Sequence, residues 1–262
     1  MQYKLEDLLA EIRNLTLSKG DTVMVHSALH CFGMPIRASK LELCNAIYKQ
    51  LNSMIGEEGT IVVPTFNFSF CSGKLYDIMQ TPSEGMGIFS EYIRNQEKSI
   101  RSKHPTQSIS AIGRHANELC SYDSYSAFEN DSSFSKLLSL DTTVLLLGAS
   151  IQAVSFIHLA EESNQVPYRY YKTFIADYCD AKGQVTKKSY GMYVRDLSVN
   201  PIIKLNKIER LLEEKGQIKK IPFKSGVIAQ FKASTFVDIA NQNLKQNPNW
   251  LLESGKEACE TK

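Results

Sequence analysis

Residues 143–162, TVLLLGASIQAVSFIHLAEE, join a buried strand to a helix that carries ionisable side chains. Val144, Leu145, Leu146 and Leu147 form a short apolar run closed by Gly148. A run of that length, ended by glycine, reads as a strand covered on both faces. Ser155 stands where an N-cap would serve the helix that follows. His158 and Glu161 lie three residues apart and therefore share one helix face. A histidine with a carboxylate beside it, just past the end of a buried strand, is a candidate general base with its own orienter. The plainer reading of the pair in isolation is a partly buried histidine held by a surface glutamate.

Outward from that stretch, the N-terminal part repeats the same alternation. Leu5, Leu8, Leu9, Ile12 and Leu15 follow helical spacing. Thr22-Val23-Met24-Val25 reads as a buried strand and runs into His26-Ser27-Ala28-Leu29-His30. Ser39 with Glu42 makes a capping box for a helix over 41–55. Thr60-Ile61-Val62-Val63 is the next strand, ending at Pro64-Thr65-Phe66. Alternating helices and strands predict an α/β fold: a mixed, largely parallel central sheet flanked by helices. Ligands bind such sheets at the carboxyl ends of the strands. His26-Ser27, Thr65 and Ser155 with His158 all fall at that edge, and this convergence favours the catalytic reading of His158.

Further along, the aromatic residues Phe66, Phe68, Phe70 and Tyr76 either line a pocket or pack over the sheet, with packing the simpler reading. Gly85-Met86-Gly87 is too short for a dinucleotide fingerprint. Short helices are expected over 88–95 and 134–138, and a strand over 108–113. Asp180-Ala181-Lys182-Gly183 between two alternating runs predicts a hairpin. A helix over 201–215, turn-punctuated β structure over 218–231 and a last helix over 236–244 complete an antiparallel C-terminal extension. Fraying is expected from Cys259 onward.

Composition narrows the classes. With 262 residues and 43% hydrophobic content, the chain can bury a substantial core, and a single domain over 1–262 is expected. Basic and acidic residues nearly cancel, 30 against 28, and no long Lys/Arg block appears, so no nucleic-acid partner is expected. No apolar run is long enough for a bilayer, and MQYKLEDLLAEIRNL reads as an amphipathic segment rather than a signal peptide. The expectation is a cytoplasmic protein without membrane insertion; a homodimer is left open. The six cysteines are widely spaced and form no CxxC, which predicts free thiols. Cys31 and Cys71 lack a base in their local sequence and make poor nucleophiles. His26 and His30 are four apart but have no third ligand in view, so no metal is expected.

Several segments together resemble one family, the aminoglycoside 3-N-acetyltransferases. They are Val25-His26-Ser27-Ala28-Leu29, Gly59-Thr60-Ile61-Val62-Val63-Pro64-Thr65-Phe66, Thr81-Pro82-Ser83 with Gly85-Met86-Gly87, Arg101-Ser102 with His104-Pro105-Thr106 and Ser108, Ala111-Ile112-Gly113 with His115-Ala116, and Leu145-Leu146-Leu147-Gly148 with His158-Leu159-Ala160-Glu161. No single piece is specific; their order over about residues 20–165 is. The resemblance fades after Tyr171. It implies an α/β fold of its own, distinct from the GNAT acetyltransferases, and transfer of an acetyl group from acetyl-CoA to an amine of an amino sugar. It implies His158 as catalytic base and Glu161 as its partner. It also implies acetyl-CoA contacts from His26, Ser27, Ala28, Leu29, Pro64, Thr65, Phe66, His104, Ser108 and Ile109. Residues up to about 165 would form the CoA-binding and catalytic core, and about 166–262 the acceptor side, with Glu162, Phe68, Tyr168 and Asp177 as candidate acceptor contacts.

The chemistry agrees with that expectation. A sugar amine arrives mostly as ammonium and must lose a proton before attacking a thioester, a task for neutral imidazole. A carboxylate partner holds the productive tautomer. Thr65, Ser27 or backbone N–H groups are candidate oxyanion donors. Arg37, beside the capped helix, is either a CoA-phosphate contact or a solvated side chain. Net charge points away from a polycationic acceptor. Arg169, Lys172, Lys182, Lys187, Lys188 and Arg195 accompany the acidic residues of the second half, which favours a nucleotide-linked amino sugar of surface-glycan synthesis. The alternatives are an aminoglycoside acceptor in antibiotic resistance and a non-catalytic CoA- or sugar-binding protein. A hydrolase has no GxSxG elbow to support it.

Overall fold

The computed structural model describes residues 2–253; the expected fraying from Cys259 lies outside them. In chain order the strands are β1 (Gln2–Tyr3), β2 (Thr22–Ser27), β3 (Met34–Pro35), β4 (Thr60–Pro64), β5 (Tyr76–Asp77), β6 (Ile100–Arg101), β7 (Ile109–Gly113), β8 (Thr143–Leu147), β9 (Arg169–Cys179), β10 (Val185–Arg195), β11 (Ile218–Phe223) and β12 (Gly226–Lys232). The helices are α1 (Leu5–Arg13), α2 (Lys40–Ile55), α3 (Ile88–Arg94), α4 (Ala116–Ser121), α5 (Ser133–Ser139), α6 (Ile157–Ser163), α7 (Asn206–Glu214) and α8 (Ala233–Gln246).

A seven-stranded sheet of order β11-β12-β8-β2-β4-β7-β6 forms the centre. The expected mixed α/β sheet is present, but parallel pairing is confined to β8-β2-β4. The expectation of a largely parallel sheet fails at the flanks, where β7, β6, β12 and β11 all pair antiparallel. For the outermost pairs, β6–β7 and β11–β12, the reason lies in the connections. Antiparallel partners need only a short reversal, and β11 and β12 are joined by two residues, Lys224 and Ser225. The β11–β12 hairpin therefore extends the main sheet itself. The second hairpin, β9–β10, belongs to a separate three-stranded sheet with β5.

Period-two alternation splits the central strands between two cores. Val23, Val25, Ile61, Val63, Leu145 and Leu147 face α1, α2 and α3. Met24, Val62, Val144 and Leu146 face the side chains of α4 to α8. The result is helix–sheet–helix layering. Val144 to Leu147 are each at most 2% exposed, and burial of four such side chains stabilises by up to about 10 kcal/mol before unfolded-state compaction is counted. A third, smaller cluster of Phe70, Tyr76, Ile78, Ala176, Tyr178 and Tyr190 sits under the β9–β10 hairpin.

Local signals held in part. The Ser39–Glu42 capping box of α2 is formed in both directions. Ser155 is not a cap: α6 begins at Ile157 with Phe156 in the cap position and no side-chain cap bond. A one-turn 3-10 segment, Ile151–Ala153, intervenes after β8 and uses up the residues that a direct strand-to-helix turn would need. The helix expected over 201–215 starts later, at Asn206, because residues 201–205 hold irregular backbone that bridges Ile203 to Leu252. Among the described residues, no helix is long and apolar enough to cross a membrane.

Candidate active site

The carboxyl ends of β2, β4 and β8 open into a cleft of about 690 Å³. Strand order reverses about β2, with β4 on one side and β8 on the other, so the loops after these strands diverge and leave a crevice. Gly148, at φ 73°, keeps the β2 and β8 loops together: a Cβ there would come within 2.7 Å of the Ala28 carbonyl oxygen. His26, Ser27, Pro64 and Phe66 line the cleft from the strand side, with Phe68, Gly85, Met86 and Gln107 beside them. Ser155 and His158 come from the β8–α6 connection. Arg169, Met192, Tyr193 and Arg195, from the base of the β9–β10 hairpin, form the facing wall.

His158 is the part-exposed member of a buried charge cluster. Its Nδ1 lies 2.7 Å from Oε2 of Glu161, whose side chain has no exposure. Helical spacing brings the two together across less than one turn of α6. Arg169 Nε lies 3.0 Å from the same oxygen. Burial by itself pushes the Glu161 carboxyl up; the bond to His158 and the charges of His158 and Arg169 outweigh it and hold the carboxyl below its usual range. The ionised carboxylate accepts from Nδ1–H and leaves Nε2 as the imidazole's free ring nitrogen. The Phe128 ring packs edge-on against the imidazole, with centroids 5.0 Å apart.

The other expected residues divide. His26 is buried and held neutral by burial, which pushes it down to about 4. Its Nε2 and the Ser27 hydroxyl are buried without a hydrogen-bond partner among the described residues. Ser27, Ala28 and Leu29 also line a smaller apolar pocket of about 270 Å³ that shares Ser27 and Gly85 with the cleft. Thr65 and Ser108 are not cleft residues. Their hydroxyls meet at 3.0 Å, and both groups are tied to Arg101, whose Nε donates to Ser108 and whose terminal nitrogen donates to the Thr65 carbonyl at 2.6 Å. This closed network corrects the expectation that Thr65 supplies an oxyanion donor. His104 is buried behind the wall; its Nδ1 accepts from the Gln107 N–H, and its Nε2 reaches the Gly191 carbonyl at 3.2 Å. Ile109 is core. Arg37, exposed and at φ 56°, stands in a surface recess outside both cavities.

Among the candidate acceptor contacts, only Phe68 lines the cleft. The Glu162 carboxylate turns to the Ser126 hydroxyl at 2.7 Å, and burial raises it. It anchors the loop that carries Phe128. Tyr168 is buried. Asp177 is exposed and pairs in register with Lys187. Eight residues separate it from Arg169, about 26 Å along a strand, which sets it far from the hairpin base. The sequence reading missed the cleft positions of Gln107, Met86 and Tyr193 and the contact of Arg169 with Glu161. Gly85-Met86-Gly87 was a signal for Met86; Arg169 had none, because its contact depends on the chain turning back after α6. Among the described residues, no group of three metal-ligating side chains occurs.

The family model described as aminoglycoside 3-N-acetyltransferase matches residues 24–245, well past Tyr171. The chain is 28% identical over 186 residues to the aminoglycoside N(3')-acetyltransferase-like protein YokD of Bacillus subtilis, covering 63% of this chain and 66% of that one. It is 26% identical over 179 residues to aminoglycoside N(3)-acetyltransferase VII of Streptomyces paromomycinus, covering 61% and 60%. These matches span less than two thirds of either relative. The structure described as AAC-IIIb binary with CoASH superposes with a TM-score of 0.77 at 18% identity, covering 94% of this chain and 97% of that one, and so shares the fold. With a match that takes in both the strand-end wall and the hairpin wall of the cleft, this chain belongs to the aminoglycoside 3-N-acetyltransferase family.

Proposed function

We propose that the chain is an acetyl-CoA-dependent N-acetyltransferase acting on an amine of an amino sugar, by direct transfer with His158 as general base. The observation that carries this is Nδ1 of His158 held at 2.7 Å by a carboxylate with no exposure, in the wall of the cleft. His158 takes a proton from the acceptor's ammonium, and Glu161 stabilises the imidazolium that forms. As the N–C bond forms and the thioester C–S bond breaks, one of the two protons lost from nitrogen goes to the departing thiolate, released as the free thiol, and the other to solvent. Acetyl-CoA, when bound, supplies the acetyl group as an activated thioester. The orphaned polar atoms of His26 and Ser27, where the cleft meets the apolar side pocket, fit a ligand with an apolar arm and polar groups. A direct transfer needs no enzyme nucleophile, in keeping with thiols whose burial raises them at Cys44, Cys71 and Cys120. The base of the β9–β10 hairpin is assigned the acceptor side. The free thiols and the use of acetyl-CoA are the grounds for placing the reaction in the cytoplasm.

Aminoglycosides are the first acceptor class to test, since the Streptomyces relative is named for them. One observation favours a nucleotide-linked amino sugar as second reading: among the described residues no carboxylate lines the cleft, whereas Arg169 and Arg195 do. Arg195 makes no ion pair among the described residues. Thiol release from acetyl-CoA against a panel of gentamicin, sisomicin and nucleotide-linked amino sugars tests both. Amine-dependent release with an aminoglycoside is expected. Release with the nucleotide sugars alone would transfer the assignment to the second reading. CoA binding without release for any amine would leave a non-catalytic binding protein and end the proposal.

A further inference from the structure

Arg169 opens β9 immediately after the turn that follows α6, and three observations set it apart from the other cations of the second half. Its Nε lies 3.0 Å from Glu161 Oε2, the oxygen that also meets His158 Nδ1, an ion-pair contact outside hydrogen-bond alignment. Its other end donates to the Tyr193 carbonyl at 3.0 Å, which fixes the guanidinium against β10. Its side chain is only 10% exposed. Cross-strand from it in register stands a second arginine, Arg195. Like charges directly opposite destabilise a hairpin, so Arg169 occupies this position at some cost, which its contact with Glu161 offsets.

We propose that Arg169 is a positioning residue: its guanidinium fixes the Glu161 carboxylate and offsets that carboxylate's charge at His158. The inference rests on the reading of His158 as the base. A fully buried carboxylate without a cation is strongly disfavoured. An uncompensated Glu161 would also hold a proton on the neighbouring imidazole and take it out of service as a base. With Arg169 in place the carboxylate–guanidinium pair is neutral overall, so Glu161 orients the ring without locking it as imidazolium. Among the described residues, the groups around the cluster supply no other compensating cation. Glu162 and Tyr168 adjoin it along the chain, Glu129 comes from the loop that carries Phe128, and Tyr171 and Tyr193 come from β9 and β10. Arg195 is the remaining cation in the cleft lining, and it is exposed.

The test is the NMR titration of the His158 ring in the unliganded chain, assigned by the signal missing in H158A, together with the pH profile of thiol release. In R169M the His158 midpoint moves upward by one pH unit or more, a tenfold gain in proton affinity, and the acid limb of activity moves with it. R169K restores both. An unmoved or lower midpoint in folded R169M overturns the inference. Should R169M not fold, R169Q, which keeps a hydrogen-bond donor without the charge, gives the same contrast with the Glu161 carboxylate in place: its His158 midpoint rises, and an unmoved or lower midpoint overturns the inference. The titration needs no acceptor, so its failure is distinct from failure of the base assignment, which would appear as near-normal thiol release by H158A.

Discussion

The two walls of the cleft are built differently. The strand-end wall rises from β2, β4 and β8, whose residues are buried almost throughout and packed by helices on both faces. The hairpin wall rises from β9 and β10, whose residues are mostly exposed or half-buried. That ribbon is held by a small aromatic cluster and a few polar tethers, among them Tyr178 to the Lys103 carbonyl at 3.0 Å and Tyr193 to the Val166 carbonyl at 2.9 Å. The strand-end wall is continuous with the main core, and the β8–α6 connection carries His158 beside it. The hairpin wall can exchange cleft side chains at little cost to stability. On the proposed function, the comparison sets the base beside buried strands and the acceptor contacts on a more exposed ribbon, from which Arg169 reaches Glu161.

The comparison breaks first if groups packed into the core are dispensable for rate. Glu161→Gln is expected to lower kcat about 10²–10³-fold near neutral pH, within the range for losing a base or its tautomer. Steady-state kinetics with circular dichroism checks it, and a loss below fivefold would contradict it. Acid stability comes next. His26 and His104 are both buried and pushed down by burial to about 4 from 6.5. Each is neutral in the fold and protonated in the unfolded chain below 6.5. Stability is therefore present above that pH and is lost as pH falls toward 4, by about 3 kcal/mol per histidine at the full shift. Thermal melts across this window measure the slope, and a His104→Asn variant should flatten it.

The hairpin wall should respond more mildly and selectively. Arg195→Gln is expected to lower kcat/KM about tenfold for a phosphate-bearing acceptor, the worth of one charge-assisted hydrogen bond, while leaving aminoglycoside turnover within threefold. An equal loss for both acceptor types would show that Arg195 shapes the wall without reading charge. Asp177→Ala, far out on the hairpin, is expected to change kcat/KM by less than about twofold; a larger loss would extend the acceptor site along the ribbon.

The same contrast governs how much of the molecule was legible in the sequence. β2, β4 and β8 announce themselves as short apolar runs, because strands covered on both faces have no reason to alternate. His158 and Glu161 were legible because helical spacing alone brings them together. Arg169 was not. Its meeting with Glu161 depends on the chain reversing after α6, where Gln165 takes φ 47°, and a glutamine in that conformation leaves no compositional mark. Thr65 and Ser108 were placed at the right sheet edge, but their role was misread, since the partner that closes their network, Arg101, lies on a two-residue strand too short for any periodicity. Asp177 was named as an acceptor contact from its place in the second half of the chain, which says nothing of the distance along a ribbon.

The central claim, that His158 is the base of an amine acetyltransfer, is tested most directly by amine-dependent thiol release in H158A at pH 7, beside the unsubstituted chain and with matched far-UV spectra. The account predicts a loss of about 10²–10⁴-fold in kcat with the fold intact. A folded H158A variant that keeps more than about a tenth of the rate would contradict it.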